Sequence, residues 1–392
     1  MPLFSIITTV YNNERYVKFA IDSVLTQSFE DFEYIIIDDG STDSTGEIID
    51  KIASEDKRVK IIHQKNQWIF ESLNNGLKLA KGEYIFVVNS DDRLRPEVLK
   101  IASQKIKLYK QPDIVWTQVL MHKVDECQNI ILYDCKNKEQ YFKHDQYFKN
   151  KKEVRNNWIM FYETGLASNQ INFYKREIIK NYRFRNDIYG ADLLFNISIA
   201  SDINTALIMK EAAYDFFEYD KGNMNTSIGT YHGYEHDMFN DFFIQYKTLF
   251  EKWNLYNNEI ESKLSKYRLK WFTHEIRVLT YKNCTLTIEE KLIRIFTKMI
   301  DEIVLLSVEK LKAQEELESR TLSGIRELLV KETLLESSEM YFVYELLDSL
   351  LRYEKDEDDF EKIKNAINHP LNPLHIGKIF YEKLVCNYLD GK

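Results

Sequence analysis

Three short polar clusters near the start of the chain each follow an apolar run: Thr8-Thr9-Val10-Tyr11-Asn12, Asp38-Asp39-Gly40-Ser41 and Asn89-Ser90-Asp91-Asp92. In an open parallel α/β sheet, ligands bind outside the carboxyl ends of the strands, where successive loops converge. The clusters therefore describe one ligand site, and a nucleotide suits it. Aspartates crowded at one sheet edge repel one another unless a cation or hydrogen-bond donors balance them. Mg²⁺ or Mn²⁺ meets that need. Either ion prefers oxygen ligands and is held by one or two carboxylates plus substrate phosphates, which Asp91 and Asp92 offer after a buried strand. The plain alternative is a solvated Asp-rich turn ahead of Pro96, since Asp and Ser favour turns through local hydrogen bonds.

Elements that place these clusters are legible as alternating strands and helices. Phe4 to Thr9 reads as a buried strand, and after Asn13 the spacing becomes helical, with Val17, Ala20, Ile21, Val24 and Leu25 on one face. Tyr34 to Ile37 is the next strand, and Ser44-Thr45-Gly46-Glu47 has capping-box spacing for a second helix. Val59 to His63, the stripe Phe70, Leu73, Leu77 and Ala80, and then Tyr84 to Val88 continue the alternation. Pro96 suits the first turn of another helix, and Ile114 to Val119 makes a fifth strand. Such alternation implies an α/β fold with a mostly parallel sheet. Signals are mixed from Val119 to Ile228, with a hairpin across Val119 to Tyr133 and a strand near Gln170 to Tyr174. Between Gly233 and Pro370 there is one glycine, Gly324, and no proline, so the C-terminal part reads as helical. Phe239, Phe242, Phe243, Tyr246, Leu249, Phe250 and Trp253 share one helical face, and Tyr341, Leu346, Leu347, Leu350 and Leu351 suggest another. The expected division is a nucleotide-binding catalytic domain over 1–235 and a helical domain over 236–392.

With 392 residues, 44% hydrophobic and 29% charged, the chain suits a globular protein of two units rather than a disordered one. A formal charge of -9 argues against a nucleic-acid binder. Cys127, Cys135, Cys284 and Cys386 are scattered without a CxxC pair, which fits reduced thiols in a cytosol. The start of the chain shows no basic leader, and no uncharged apolar run reaches the roughly 18 residues of a membrane span. A cytoplasmic protein is expected. Aromatic residues beside lysines in the C-terminal helices leave peripheral contact with the inner face of a membrane open, and the apolar helix faces leave a homodimer open.

Ser5 to Asn12, Ser23 to Phe29, Ile36 to Asp43, and Lys81 to Ile85 with Asn89 to Asp92 together resemble the motifs of family 2 inverting glycosyltransferases. The resemblance covers residues 3 to 120 firmly and reaches more loosely to 228. It implies the glycosyltransferase A fold, a Rossmann-like α/β architecture, with a nucleotide-sugar donor and a divalent metal. Carried over by position, it puts the donor base against Thr9, Tyr11 and Asp39, with Asp39 accepting from a uracil imide and Tyr11 stacking. Asp38 belongs to the same donor region or orients its loop, Asp91 lies by the ribose or sugar, and Asp92 bridges metal to diphosphate. Many relatives carry arginine where this chain has Leu73, beside Asn74, which is assigned to the donor. Trp68 stands where relatives often have glycine, and either covers the donor sugar or fills the core.

An inverting transfer needs a base opposite the leaving diphosphate. Gly190-Ala191-Asp192 resembles the family's Glu-Asp segment at a helix start, with alanine in place of the glutamate, so Asp192 is the expected base and Asp187 its substitute. His232 and His236 flank Gly233, and the resemblance makes His232 a candidate metal ligand. The implied activity is hexosyl transfer from a UDP-sugar to a saccharide, glycolipid or glycoprotein acceptor in bacterial surface-polysaccharide or glycoprotein assembly. A catalytically inactive binding or scaffold protein is the alternative, motivated by Leu73 and Ala191.

Overall fold

The computed structural model describes residues 1–125, 142–169, 171–219, 229–287, 290–291, 294–295, 298 and 301–313, with the main chain alone for 130–133. The helical face expected at Tyr341 to Leu351 and the cysteines Cys127, Cys135 and Cys386 lie outside these residues. The chain divides into two compact units, Met1–Asn225 and Thr226–Lys392.

In the first unit β1 (Phe4–Val10), β2 (Phe32–Asp38), β3 (Val59–His63) and β4 (Tyr84–Val87) alternate with α1 (Val17–Leu25), α2 (Thr45–Glu55) and α3 (Ile69–Leu79). There follow β5 (Arg93–Leu94), α4 (Val98–Leu108), β6 (Ile114–Val124), β7 (Ile130–Tyr133), β8 (Gln146–Phe148), α5 (Lys151–Asn156), α6 (Trp158–Glu163), β9 (Asn172–Lys175), α7 (Arg176–Ile179), α8 (Ala191–Ile199) and β10 (Ala206–Tyr219). One sheet runs in the order β3-β2-β1-β4-β9-β6-β10-β5, with β7 on β6 and β8 on β10. The β3-β2-β1-β4 block is parallel, as expected. Every residue of β2 is buried, the pattern of a parallel strand covered on both faces. The expected hairpin is present as β6 and β7, and the strand near Tyr174 is β9, antiparallel between β4 and β6.

Two local details tie this block together. Glu33, buried within β2, accepts from the Ser5 hydroxyl at 2.7 Å, from Lys60 Nζ at 2.6 Å and from the Lys81 N–H at 2.6 Å. Burial alone would raise this carboxyl, yet the three donors together hold it below the usual carboxylate range. Gly82 donates its N–H to Ser5 Oγ at 2.7 Å, and a Cβ there would lie 2.3 Å from the Ser5 nitrogen. Because the obstacle is backbone, Gly82→Ala is expected to destabilise the protein by about 3 kcal/mol, read as a lowered urea midpoint with the slope unchanged.

The capping box expected at Ser44 does not form. Ser44 makes no side-chain cap; Asp43 instead accepts the Thr45 N–H at 3.0 Å and the Glu14 N–H at 3.2 Å, so the preceding carboxylate takes the cap and ties α2 to the β1–α1 loop.

In the second unit α9 (Glu235–Lys252) buries the expected Phe239, Phe242, Phe243, Tyr246, Leu249 and Phe250. α10 (Asn258–Val278) starts at Asn257, whose side chain accepts two N–H groups of the first turn. Arg268 and Glu275, both fully buried, pair at 2.8 Å. His236 stands between Glu275 at 2.8 Å and Asp301 at 3.2 Å, which ties α9 to α10 and to the helix Glu302–Leu311 that Asp301 caps. Cys284 is a buried free thiol. Among the described residues no helix is long and apolar enough to cross a membrane.

Candidate active site at the carboxyl ends of the strands

The loops after β1, β2 and β4 meet at one sheet edge. Val10 stands opposite Asp38, and the Asp39 N–H donates to Val10 O at 2.8 Å. Asn12 donates its N–H to Ser41 Oγ at 3.0 Å and accepts the Thr42 N–H at 2.7 Å. Asn13 reaches the third cluster, its Nδ2 donating to Ser90 Oγ at 2.8 Å. Asp39 is buried, and its Oδ1 accepts from Gln64 Nε2 at 2.8 Å and from the Gln67 N–H at 2.9 Å. Among the described residues nothing bonds its Oδ2. One oxygen is thus fixed, and the other is left to accept from a ligand. Gly40, at φ +81°, brings this loop against the next: a Cβ would stand 3.0 Å from the Asn66 nitrogen. Tyr11 leaves 50% of its surface exposed, and Thr9 is half-buried. Asp38 differs from its neighbour. Its Oδ1 accepts the Ser41 N–H at 3.0 Å and its Oδ2 meets His63 Nδ1 at 2.7 Å, so both oxygens hold the loop.

The two acids after β4 are unlike each other. Asp92 is 1% exposed and fully engaged: Oδ2 accepts from Asn89 Nδ2 and from the Tyr214 hydroxyl, each at 2.9 Å, and Oδ1 accepts the Phe217 N–H at 2.9 Å. Asp91 is only half-buried. Burial pushes both carboxyls above the usual range, and the charge of Asp91 adds to the shift at Asp92. Direct ligation by Asp92, as expected from the sequence, would use the same carboxylate that holds β10 to the β4–β5 turn. Among the described residues no group of three or more His, Cys, Asp or Glu side chains could hold a metal.

Asn74, expected on the donor, has its amide engaged within the fold. Its Oδ1 accepts the Phe184 N–H at 2.9 Å and its Nδ2 donates to Phe184 O at 2.9 Å, so its hydrogen-bonding capacity pins a distant segment to α3. Leu73 is core. Trp68 is half-buried, its ring edge-on to Phe70 at 5.7 Å, with φ 73° and ψ 159°. This is backbone reserved almost wholly for glycine, so the tryptophan stands in strain beside Gln67, a partner of Asp39.

Asp192 opens α8. Phe184, pinned by Asn74, stacks on Phe195 at 4.0 Å, and Asn196 bonds the Tyr174 hydroxyl of β9 at 3.1 Å and Asn169 O at 2.8 Å. Because β9 runs antiparallel to β4, its leading residues lie toward the carboxyl end of β4, and Asn169, which precedes them, is the residue whose carbonyl Asn196 of α8 bonds. Asp192 Oδ1 accepts the adjacent Leu193 N–H at 2.9 Å, and burial pushes its carboxyl up to about 7. Asp187 contrasts with it: exposed and paired with Arg185 at 2.6 Å, it is held below the usual range. His232 belongs to the second unit, where its N–H donates to Glu235 Oε1 at 2.7 Å and its ring stacks on Tyr234 at 5.1 Å. His236 has both ring nitrogens on carboxylates.

The residues that sequence reasoning missed are the supporting ones: Gln64 and Gln67 on Asp39, and Tyr214 and Phe217 on Asp92. A strand-end His63-Gln64 pair beside Asp38-Asp39 was a visible signal for the first group. Nothing local announced the second.

Comparison with known proteins agrees with this architecture. Residues 5–183 match the family model described as glycosyl transferase family 2. Glycosyltransferase GlyG of Streptococcus pneumoniae is 36% identical over 114 residues, which are 29% of this chain and 38% of that protein. An uncharacterized glycosyltransferase of Haemophilus influenzae is 46% identical over 101 residues, 26% of this chain and 40% of that protein. The matches thus span well under two thirds of these relatives. The crystal structure of S. aureus TarS 1-349 superposes with a TM-score of 0.56 at 17% identity, over 84% of this chain and 90% of that one. The shared fold is a glycosyltransferase A type α/β sheet with a helical C-terminal part. Residues 5–183, with Asp39, Asp91 and Asp92 at their strand ends, belong to glycosyl transferase family 2.

Proposed function

We propose that the chain is a divalent-metal-dependent inverting glycosyltransferase that moves a sugar from a UDP-sugar to a hydroxyl of a saccharide, glycolipid or glycoprotein acceptor. The observation that carries this reading is the Asp39 carboxylate, with one oxygen fixed by Gln64 and Gln67 and the other unbonded, beside the half-exposed Tyr11. An imide N–H directed at Oδ2 and a base stacked on Tyr11 would use both features. A TarS fragment of the same fold has been crystallised with UDP, which supports the choice of uridine.

Asp91 is the residue that would hold Mg²⁺ or Mn²⁺, since three hydrogen bonds already tie Asp92 to Asn89, Tyr214 and Phe217. The ion, when bound, would neutralise the diphosphate as it leaves. Asp92 keeps Asp91 in place by joining the β4–β5 turn to Tyr214 and Phe217 of β10. Asp192 takes the proton from the acceptor hydroxyl as that oxygen attacks the anomeric carbon. A carboxylate whose pKa is near 7 is a stronger base than an ordinary aspartate, yet still ionised in a large fraction at neutral pH. One displacement, with base and leaving group on opposite sides, inverts the configuration.

Calorimetry with UDP-, GDP- and dTDP-sugars, with and without Mn²⁺, tests the reading. Metal-dependent binding of a UDP-sugar is the expected result. A folded protein that binds no nucleotide would overturn it in favour of a scaffold.

A further inference from the structure

The strand end that carries Asp38 and Asp39 is gripped by the next one. His63 closes β3 in register with Asp38, its Nδ1 2.7 Å from Asp38 Oδ2 and its Nε2 3.0 Å from Asp50 Oδ1 on α2. A neutral imidazole has one N–H and one lone pair. Donation to two carboxylates at once requires the imidazolium. Gln64, the next residue, donates to Asp39 Oδ1 and to Ser72 Oγ, and its own oxygen accepts from Asn75 Nδ2 at 2.9 Å. Consecutive residues at the end of β3 thus hold consecutive aspartates at the end of β2.

The effect of His63 does not stop at Asp38. The other oxygen of that carboxylate accepts the Ser41 N–H at 3.0 Å, and the Ser41 hydroxyl in turn accepts the Asn12 N–H at 3.0 Å. Asn12 adjoins Tyr11 and sits at φ 46°, a left-handed backbone position that asparagine adopts more readily than most residues. A line of hydrogen bonds therefore runs from His63 to both loops that present the donor-site residues Asp39 and Tyr11.

We propose that His63 is a positioning residue of the donor site: as an imidazolium it fixes Asp38, and through Asp38, Ser41 and Asn12 the loops of Asp39 and Tyr11, so that donor affinity falls when His63 loses its proton. This rests on the UDP-sugar reading of that site. The charged groups facing the ring are Asp38 from β2 and Asp50 from α2, and their hydrogen bonds raise the histidine above its ordinary value against the smaller cost of burial. A group raised on folding contributes its stabilisation in full below its ordinary pKa and loses it as pH rises through the folded value. With the side chain 47% exposed, solvent screens both pairs, so the effect is modest.

The test is UDP affinity by calorimetry, with Mg²⁺ present, from about pH 6 to about pH 8.5, a range that brackets histidine titration. Wild type, His63→Gln and Asp50→Asn are compared, with the His63 ring signal followed by proton NMR in the wild type and in Asp50→Asn. Wild-type affinity should fall about 3- to 5-fold more across this range than that of His63→Gln, in keeping with a half-exposed ion pair. Asp50→Asn should lower the titration midpoint of His63 and weaken the pH dependence. UDP binding by wild type and His63→Gln with equal pH dependence would overturn this inference alone, as would a His63 midpoint at or below the ordinary histidine value. No UDP binding by the wild type at any pH would overturn the donor reading and this inference with it.

Discussion

Asp192→Asn is expected to reduce kcat by about 10³-fold while leaving UDP affinity within a factor of about two, the pattern of a lost general base rather than a lost ligand. The substitution preserves shape and the bond to the Leu193 N–H but cannot accept a proton. Wild-type kcat should rise with pH through about 7, because the base acts only when ionised and burial has pushed Asp192 up to that value. The sign matters. A carboxylate left at its ordinary pKa would give a flat profile over the same range. Stability moves the other way from activity. A carboxyl raised on folding weakens the native state as pH climbs through the folded value, so the uncharged Asp192→Asn variant should melt no lower than wild type at about pH 8. A variant that loses activity and melting temperature together would point to a structural role for Asp192. Retained activity would move the base to another residue.

The parts of this site that were legible in the sequence are those set by local chemistry. β1, β2 and β4 are apolar runs because they are buried on both faces, and their polar ends mark where the sheet stops. Tyr11 and Asp39 stand at two of these ends, while the donor role expected of them came from the family resemblance. Legibility failed where a partner comes from far along the chain. Asp91 and Asp92 are adjacent and chemically identical, yet it is Asp92 that takes the Tyr214 hydroxyl and the Phe217 N–H of β10. No property of the Asn89 to Asp92 segment distinguishes them. Asn74 offered the same ambiguity, resolved by the main chain of Phe184. Even close in sequence, Asp43 and Ser44 are both good helix caps, and contact with Glu14 of another loop favours the carboxylate.

Substitutions at Asp91 and Asp92 should therefore separate into two phenotypes. Asp91→Ala is expected to fold normally and to lose Mn²⁺-dependent UDP affinity by about 100-fold or more, beyond what loss of an outer hydrogen-bonding partner costs a metal site. Asp92→Ala should instead unfold more easily, by about 3 kcal/mol, because it strands the Tyr214 hydroxyl and the Phe217 N–H in a buried setting. Asp92→Asn is the informative variant. The amide oxygen can keep the Phe217 N–H and its NH₂ can donate to a flipped Asn89 amide, which leaves only the Tyr214 hydroxyl to be re-paired, so the loss of stability should be clearly smaller than in Asp92→Ala. If Asp92 is a scaffold for Asp91, Asp92→Asn retains Mn²⁺-dependent binding; if Asp92 ligates the ion, that binding collapses in a folded protein. The metal-free protein supplies a second readout. Both carboxyls are raised by burial, with mutual repulsion adding at Asp92, so they bind protons more tightly in the folded state and stability declines as pH rises through their folded values. A cation reverses that penalty. The rise in melting temperature on adding Mn²⁺ should hence grow with pH in wild type and in Asp92→Asn, and should be absent in Asp91→Ala.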